Sequence, residues 1–234
     1  MHDHSPEGIA RRLAQSTKPS RLKDAVYGGI DGAVTTLAIV AGVQGAGLSP
    51  SIIVILGIAN VLADGFSMAA GNFAGTRAEA EEVARLRTIE EDHIATVPEG
   101  EREELRQLLA AKGLHGNALT EAVKAISSNR RAWIDYMLAE EYGVSTGAAA
   151  PLRGATTTFV AFIAAGMVPL LPFLLKIEGA FLASVVLTCT VFLAIGAIRS
   201  AWSLRRWWWT STETLGIGGS AALIAFAVGR LFHG

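Results

Sequence analysis

Residues 60–72 read NVLADGFSMAAGN, and within them an amide, a carboxylate and a thioether recur at intervals of four: Asn60, Asp64 and Met68. That spacing puts all three on one face of a helix. Three more pairs at helical spacing follow, namely Glu90 with His93, Glu101 with Glu104, and Met137 with Glu141. Each pair can converge on a single ligand. Oxygen and nitrogen donors of these kinds suit Fe²⁺ and Mn²⁺, while a sulfur donor discourages Ca²⁺ and Mg²⁺. Met137 is therefore the discriminating residue, although a methionine alone equally fills a core. Any one acidic pair also fits a plainly solvated helix, and Glu79, Glu81, Glu82, Glu91 and Glu103 are read that way.

The elements that must carry these residues are apolar. The chain has 234 residues, of which 51% are hydrophobic and 18% charged, a balance shifted from water-soluble proteins toward membrane insertion. Gly154 to Leu175 and Gly179 to Ile198 contain no charge, and stretches of about 20 such residues cross a bilayer as helices. Thr214 to Gly229 is shorter, but it lengthens into a span by taking in Trp207 to Thr212, whose tryptophans suit an interfacial belt. From Ala25 to Ala63 the only charge is Asp31. The turn-forming GVQGAGLSPS, residues 42–51, divides this stretch into two spans, one rising to about Gly42 and one returning from about Ile52 to Gly75.

Five spans result. Arg11, Arg12, Lys18, Arg21 and Lys23 precede the first of them, so the amino terminus is expected in the cytoplasm and the carboxyl terminus outside. Arg199, Arg205 and Arg206 then fall on the cytoplasmic side, and Arg230 is a small dissent. The opening MHDHSPEGIARRLAQ lacks the apolar core of a cleaved signal. Its His2 and His4 are read as tail residues rather than ligands. Cys189, the single cysteine, lies in an apolar span and offers no disulfide.

Residues 77–141 hold 14 of the 21 acidic residues and nine of the 20 basic ones. This is a cytoplasmic helical insert. Its first helix continues the second span to about Ala95, and a second opens at Pro98, where a missing N–H is harmless, and stops at Gly113. A third runs from about Asn117 to Tyr142 with a break near Ser127 to Asn129. The expected architecture is an all-α membrane protein: a cytoplasmic tail (1–23), transmembrane helices one and two (24–76), a cytoplasmic three-helix metal-binding insert between spans two and three (77–150), and transmembrane helices three to five (151–234).

Asp31 lies roughly 10 Å along the first span at about 1.5 Å per residue, and Asp64 lies about midway along the second. An ionised aspartate at mid-membrane costs about 2.5–3.5 kcal/mol even on insertion scales, so each requires a partner, a proton or a cation. A protonated Asp64 bonded to a neighbouring helix and an interfacial Asp31 are the bland alternatives. The glycines of YGGIDG and SMAAG allow close helix approach, at a dimer seam or around a site.

YGGIDGAVTTLAIVAG in the first span and LADGFSMAAGNFAG in the second, followed by an acidic helical insert and three more spans, resemble the vacuolar iron transporter family from about Arg21 to Leu231. The resemblance implies a five-span homodimer that exchanges protons for Fe²⁺ and related divalent ions (Mn²⁺, Co²⁺, Zn²⁺), exporting them from the cytosol between the protomers' first and second spans. It implies that Asp31 is the translocation aspartate and Met68 the methionine of the second span. The family's upstream glutamate falls on Asn60, with a carboxylate one turn later at Asp64, and a further glutamate falls on Asn72. In the insert its metal-binding glutamates fall on Glu90, Glu101, Glu104 and Glu141, its first methionine on Met137, one more glutamate on His93, and its second methionine on Leu138, with Glu140 a substitute ligand.

The expected function is proton-coupled export of Fe²⁺, with Fe²⁺ also held by the insert, and no enzyme activity. Two alternatives stand beside it. A membrane-anchored, ferritin-like iron oxidase is suggested by the single E-x-x-H at Glu90 to His93, although that chemistry uses two such pairs. A metal sensor would bind without transport. Catalytic triads, phosphate-cradling loops and zinc-type cysteine pairs are absent from the sequence, and an acidic insert repels nucleic acid. A bacterial inner membrane is the expected location.

Overall fold

The computed structural model describes residues 5–14, 21–145, 147, 149–201 and 203–233; His2 and His4 lie outside them. The described residues form helices and turns in this order: α1 (Pro6–Ala14), α2 (Leu22–Gly45), α3 (Pro50–Thr96), α4 (Pro98–Ala111), α5 (Gly116–Ser127), α6 (Arg130–Glu140), α7 (Pro151–Gly166), a 3₁₀ turn (Val168–Leu170), α8 (Leu171–Leu174), α9 (Ala180–Ser200) and α10 (Trp207–Leu231). Five stretches are long and apolar enough to cross a membrane: Leu22–Gly45, Pro50–Thr96, Pro151–Leu174, Ala180–Ser200 and Trp207–Leu231. The chain divides into two compact units, one of Met1–Pro19 with Gly75–Ala149 and one of Ser20–Ala74 with Ala150–Gly234.

The apolar unit is held by backbone contact between helices. A Cβ on Gly28 would lie 2.4 Å from the Thr158 carbonyl oxygen, and one on Gly32 would lie 2.3 Å from that of Phe162, so α2 and α7 touch where only hydrogen fits. Small residues replace the missing hydrophobic drive between helices in lipid, letting dispersion act at short range. Buried hydroxyls join α9 to α10: Thr210 donates to the Gly196 carbonyl at 2.7 Å and Ser211 to that of Leu193 at 3.0 Å.

The third span departs from the sequence expectation. Gly154 to Leu175 reads as one continuous run, yet the α-helix stops at Gly166 and resumes only at Leu171. Pro169 and Pro172 cannot donate to an α-helical ladder and so break it. The Pro169 carbonyl at the break accepts from Ser184 Oγ at 2.7 Å, so that acceptor does not face hydrocarbon unsatisfied.

The charged unit contains the last turns of α3 and all of α4, α5 and α6. Pro98 occupies the first turn of α4, as its lack of a donor predicts. The expected third helix is two: it stops at Ser127, and Asn129 caps α6 by accepting from the Ala132 N–H at 3.2 Å. Gly113 and Gly143 follow helix ends at φ +94° and +65°, left-handed geometry that costs a glycine little. Leu86, Ile94, Leu105, Leu109, Trp133, Ile134, Met137 and Leu138 pack together as the core.

Candidate metal sites

Burial of like charges marks the site in the charged unit. Glu90 and His93 share one face of α3, and the α3–α4 junction at Val97 brings Glu101 against them. His93 Nδ1 lies 3.2 Å from Glu101 Oε1 and 3.9 Å from Glu90 Oε1, and one donor atom from each residue fits within 4.8 Å of the others. Glu90 is 0% and Glu101 5% exposed, whereas His93, Glu104 and Glu141 are exposed. The two glutamates thus form an inner floor, with the imidazole at the solvent side.

Glu90 accepts a hydrogen bond from the Tyr142 hydroxyl at 2.9 Å. Its Oε2 and that of Glu101 are both buried with no hydrogen-bond partner. Burial, then the charges of Glu90 and Glu104, push Glu101 up to about 7, against a partial offset from His93. Glu141 is also raised, first by partial desolvation and then by Glu90 and Glu104. The Tyr142 hydroxyl is held in its protonated form by burial and by its bond to Glu90. Buried carboxylate oxygens without donors require protons or a cation, and oxygen with imidazole nitrogen is a donor set for Fe²⁺ or Mn²⁺.

The remaining sequence candidates of this unit divide between that group and other surroundings. Glu104 is near enough to act on both Glu101 and Glu141. Met137 is fully buried in the core with Leu105 and Leu138, and its carbonyl accepts from the Glu141 N–H at 2.9 Å. Glu140 pairs with Lys112 Nζ at 2.6 Å. Glu81, Glu82 and Glu103 pair with Arg77, Arg85 and Arg106 at the surface, as solvated acids do. Tyr142 had no spacing signal in the sequence; it reaches Glu90 only because the chain bends after α6.

A second group lies in the apolar unit. The carboxylates of Asp31 on α2 and Asp64 on α3 are near enough to act on one another, and both are half-buried. Asn60, Asp64, Met68 and Asn72 follow one another at four-residue intervals along α3. Asn60 Nδ2 is buried without a hydrogen-bond partner. Asn72 Nδ2 donates to Asp24 Oδ1 at 2.8 Å and to Thr158 Oγ1 at 3.2 Å. Its Oδ1 is buried without a partner and lies 2.8 Å from where a Cβ on Gly154 would sit. The amide orientation follows from its neighbour, because only the NH₂ can serve a carboxylate.

Asp24, which accepts from Asn72, is a further residue the sequence reading did not single out. It stands seven residues before Asp31, two turns along the same face of α2, a spacing that would have found it.

A model of the VIT family matches residues 22–230. Vacuolar iron transporter 1 of Arabidopsis thaliana is 31% identical over 213 residues, covering 90% of this chain and 85% of its own length. Vacuolar iron transporter 1 of Eucalyptus grandis is 30% identical over 220 residues, with 93% and 88% covered. The vacuolar iron transporter of Centaurea cyanus is 29% identical over 217 residues, with 92% and 89% covered.

Proposed function

The chain belongs to the VIT family, and from that premise we propose that it exports Fe²⁺ from the cytosol in exchange for protons, with Mn²⁺, Co²⁺ and Zn²⁺ as further cargo. The observation that carries this reading is the pairing of Asp31 with Asp64 inside helices long enough to span a bilayer. Two carboxylates near enough to act on one another within membrane-spanning helices disfavour joint ionisation, and a proton or a shared divalent ion relieves that repulsion. Alternating between those two states couples the fluxes.

Cytosolic capture falls to Glu90, His93, Glu101, Glu104 and Glu141, with Met137 as the family's sulfur position. Asp31, Asn60, Asp64, Met68 and Asn72 form the transport path. Each protomer supplies two carboxylates and one thioether to the membrane site, fewer donors than a divalent ion uses, so a homodimer that joins two such sets completes it. Leu62 and Phe66, large exposed side chains flanking Asp64, would form part of that seam. We assign the protein to a bacterial inner membrane, with the amino terminus cytoplasmic and the carboxyl terminus outside, since Arg21 and Lys23 flank the start of the first span and Arg199, Arg205 and Arg206 the end of the fourth.

The test is Fe²⁺ uptake into proteoliposomes under an imposed proton gradient, comparing wild type with Asp64→Asn. Gradient-driven uptake that the substitution removes is the expected result. Uptake that is indifferent to both the gradient and the substitution would overturn the reading.

A further inference from the structure

A cavity of about 400 Å³ lies between α2, α9 and α10, lined by Leu37, Phe181, Cys189, Phe192, Ala222 and Phe226 among others, all of them apolar or weakly polar. Its size is within the ~300–1,000 Å³ of ligand pockets. Ala41, Gly219 and Ala222 line it with little or no side chain, and the rings of Phe181 and Phe226, 6.4 Å between centroids, stack in its wall. No side-chain oxygen or nitrogen lines it, and the lone sulfur of Cys189 does not make a cation site.

The surroundings identify the occupant. The flanking helices expose Leu182, Val186 and Leu193 on α9 and Leu223 and Ile224 on α10, so hydrocarbon is the medium on this side of a membrane span. The cavity occupies the half of α10 that ends at Arg230. Arg230 stands one turn past Phe226 on the same helix face, roughly 6 Å further along the axis. It is exposed, and no carboxylate among the described residues forms an ion pair with it. Lys176, also exposed, sits with Glu178 in the turn that precedes α9 at this same end. An unpaired guanidinium one turn above an apolar cavity matches an ester lipid, with a tail below and a phosphate above. Arginine suits that phosphate, since its fork geometry binds phosphate oxygens in pairs.

We propose that this cavity binds one acyl chain of a membrane phospholipid, with Arg230 paired to its phosphate. The site is independent of the metal path, and the proposal does not rest on transport. It gives Arg230, an exception to the charge pattern of the other loops, a defined partner.

The full chain, purified from bilayers of palmitoyl-oleoyl phosphatidylethanolamine and phosphatidylglycerol and stripped in mild detergent, would be examined by native mass spectrometry. One phospholipid retained per chain is expected. Ala222→Phe, which fills the cavity, should lower retention about tenfold, and Arg230→Gln severalfold. No retained lipid, or retention unchanged by both substitutions, overturns the proposal, as does a changed oligomeric state with lipid unchanged, which would make the cavity a subunit seam. A wild-type measurement guards against misfolding of the variants. A phospholipid carrying a diazirine in its tail should crosslink to cavity residues such as Cys189 and Phe226 in excess over the outward Leu182 and Leu193; equal labelling overturns the proposal.

Discussion

The two candidate metal sites solve the same electrostatic difficulty with different means. In the charged unit, Glu90 and Glu101 are buried against a hydrophobic core and have an imidazole within 3.2 Å of one of them, together with two exposed carboxylates at the mouth. In the apolar unit, Asp31 and Asp64 have each other, one thioether and amides. The first site has enough donors within one chain to hold a divalent ion, which suits retention. The second is donor-poor, which suits brief occupancy and release, and the shortage is what a second protomer would supply.

The sharpest way to break that contrast is at Asp64. Asp64→Asn or Asp31→Asn should abolish gradient-driven Fe²⁺ flux in proteoliposomes while leaving Fe²⁺ binding to the purified full chain intact. Loss of both properties together would mean that the two sites are not separate. Next in size is Glu101→Gln, which should weaken Fe²⁺ binding to the full chain by about 100-fold, with Tyr142→Phe costing about tenfold because it orients Glu90 rather than touching metal. Titration calorimetry separates the two, and equal losses would promote Tyr142 to a ligand.

The dependence on pH sharpens the contrast further. Glu101 titrates at about 7 and Glu141 is raised as well, so metal binding should fall as pH drops through 7, where protons displace the ion. The metal-free protein should respond in the opposite sense. Its folded charged unit holds protons that the unfolded chain has released between the ordinary glutamate value and about 7, so its stability rises as pH falls across that window and is lost as pH climbs out of it. Thermal melts of the full chain in detergent at pH 5.5 and pH 8, with and without Mn²⁺, read both effects. A metal-free protein more stable at the higher pH would contradict the burial of these carboxylates.

The smallest expected effect lies at the end of the α3 stripe. Asn72→Leu removes the bonds to Asp24 and Thr158, and interhelical bonds of this kind contribute about 0.6 kcal/mol each in membranes. Thermal unfolding should shift by a few degrees only, with little change in Fe²⁺ binding. A large loss of binding would extend the metal path to Asp24.

Much of this was legible in the amino acids because the bilayer imposes a length rule. The spans, the turn at residues 42–51, the continuation of α3 past Arg77, and the start of α4 at Pro98 all follow from apolar length and backbone chemistry. Spacing paired Glu90 with His93 and Glu101 with Glu104 as ligand pairs on separate helices, and the structure brings Glu90, His93 and Glu101 together. Other features depend on tertiary contact. That Glu101 is buried while Glu103, two residues on, is exposed and held to about 2 by Arg106 and Gln107 is decided by which helix face meets the core. The role of Tyr142 depends on a bend, and the amide of Asn72 finds Asp24 across 48 residues of sequence. The interruption of the third span is different, since Pro169 and Pro172 were in plain view and continuous hydropathy masked them.

The orphaned oxygens of Glu90 and Glu101 have a consequence for the lifetime of the protein. A ligand that binds only the folded state stabilises it by mass action, by about 2.7 kcal/mol when free ligand stands at 100 times its dissociation constant. If that floor binds a cation only in the folded state, the unit would be most easily opened, and most easily cut by proteases, when free metal is scarce. Its abundance in the cell should accordingly rise with the metal supply, by slower degradation of the filled form, without any change in the rate at which the chain is made.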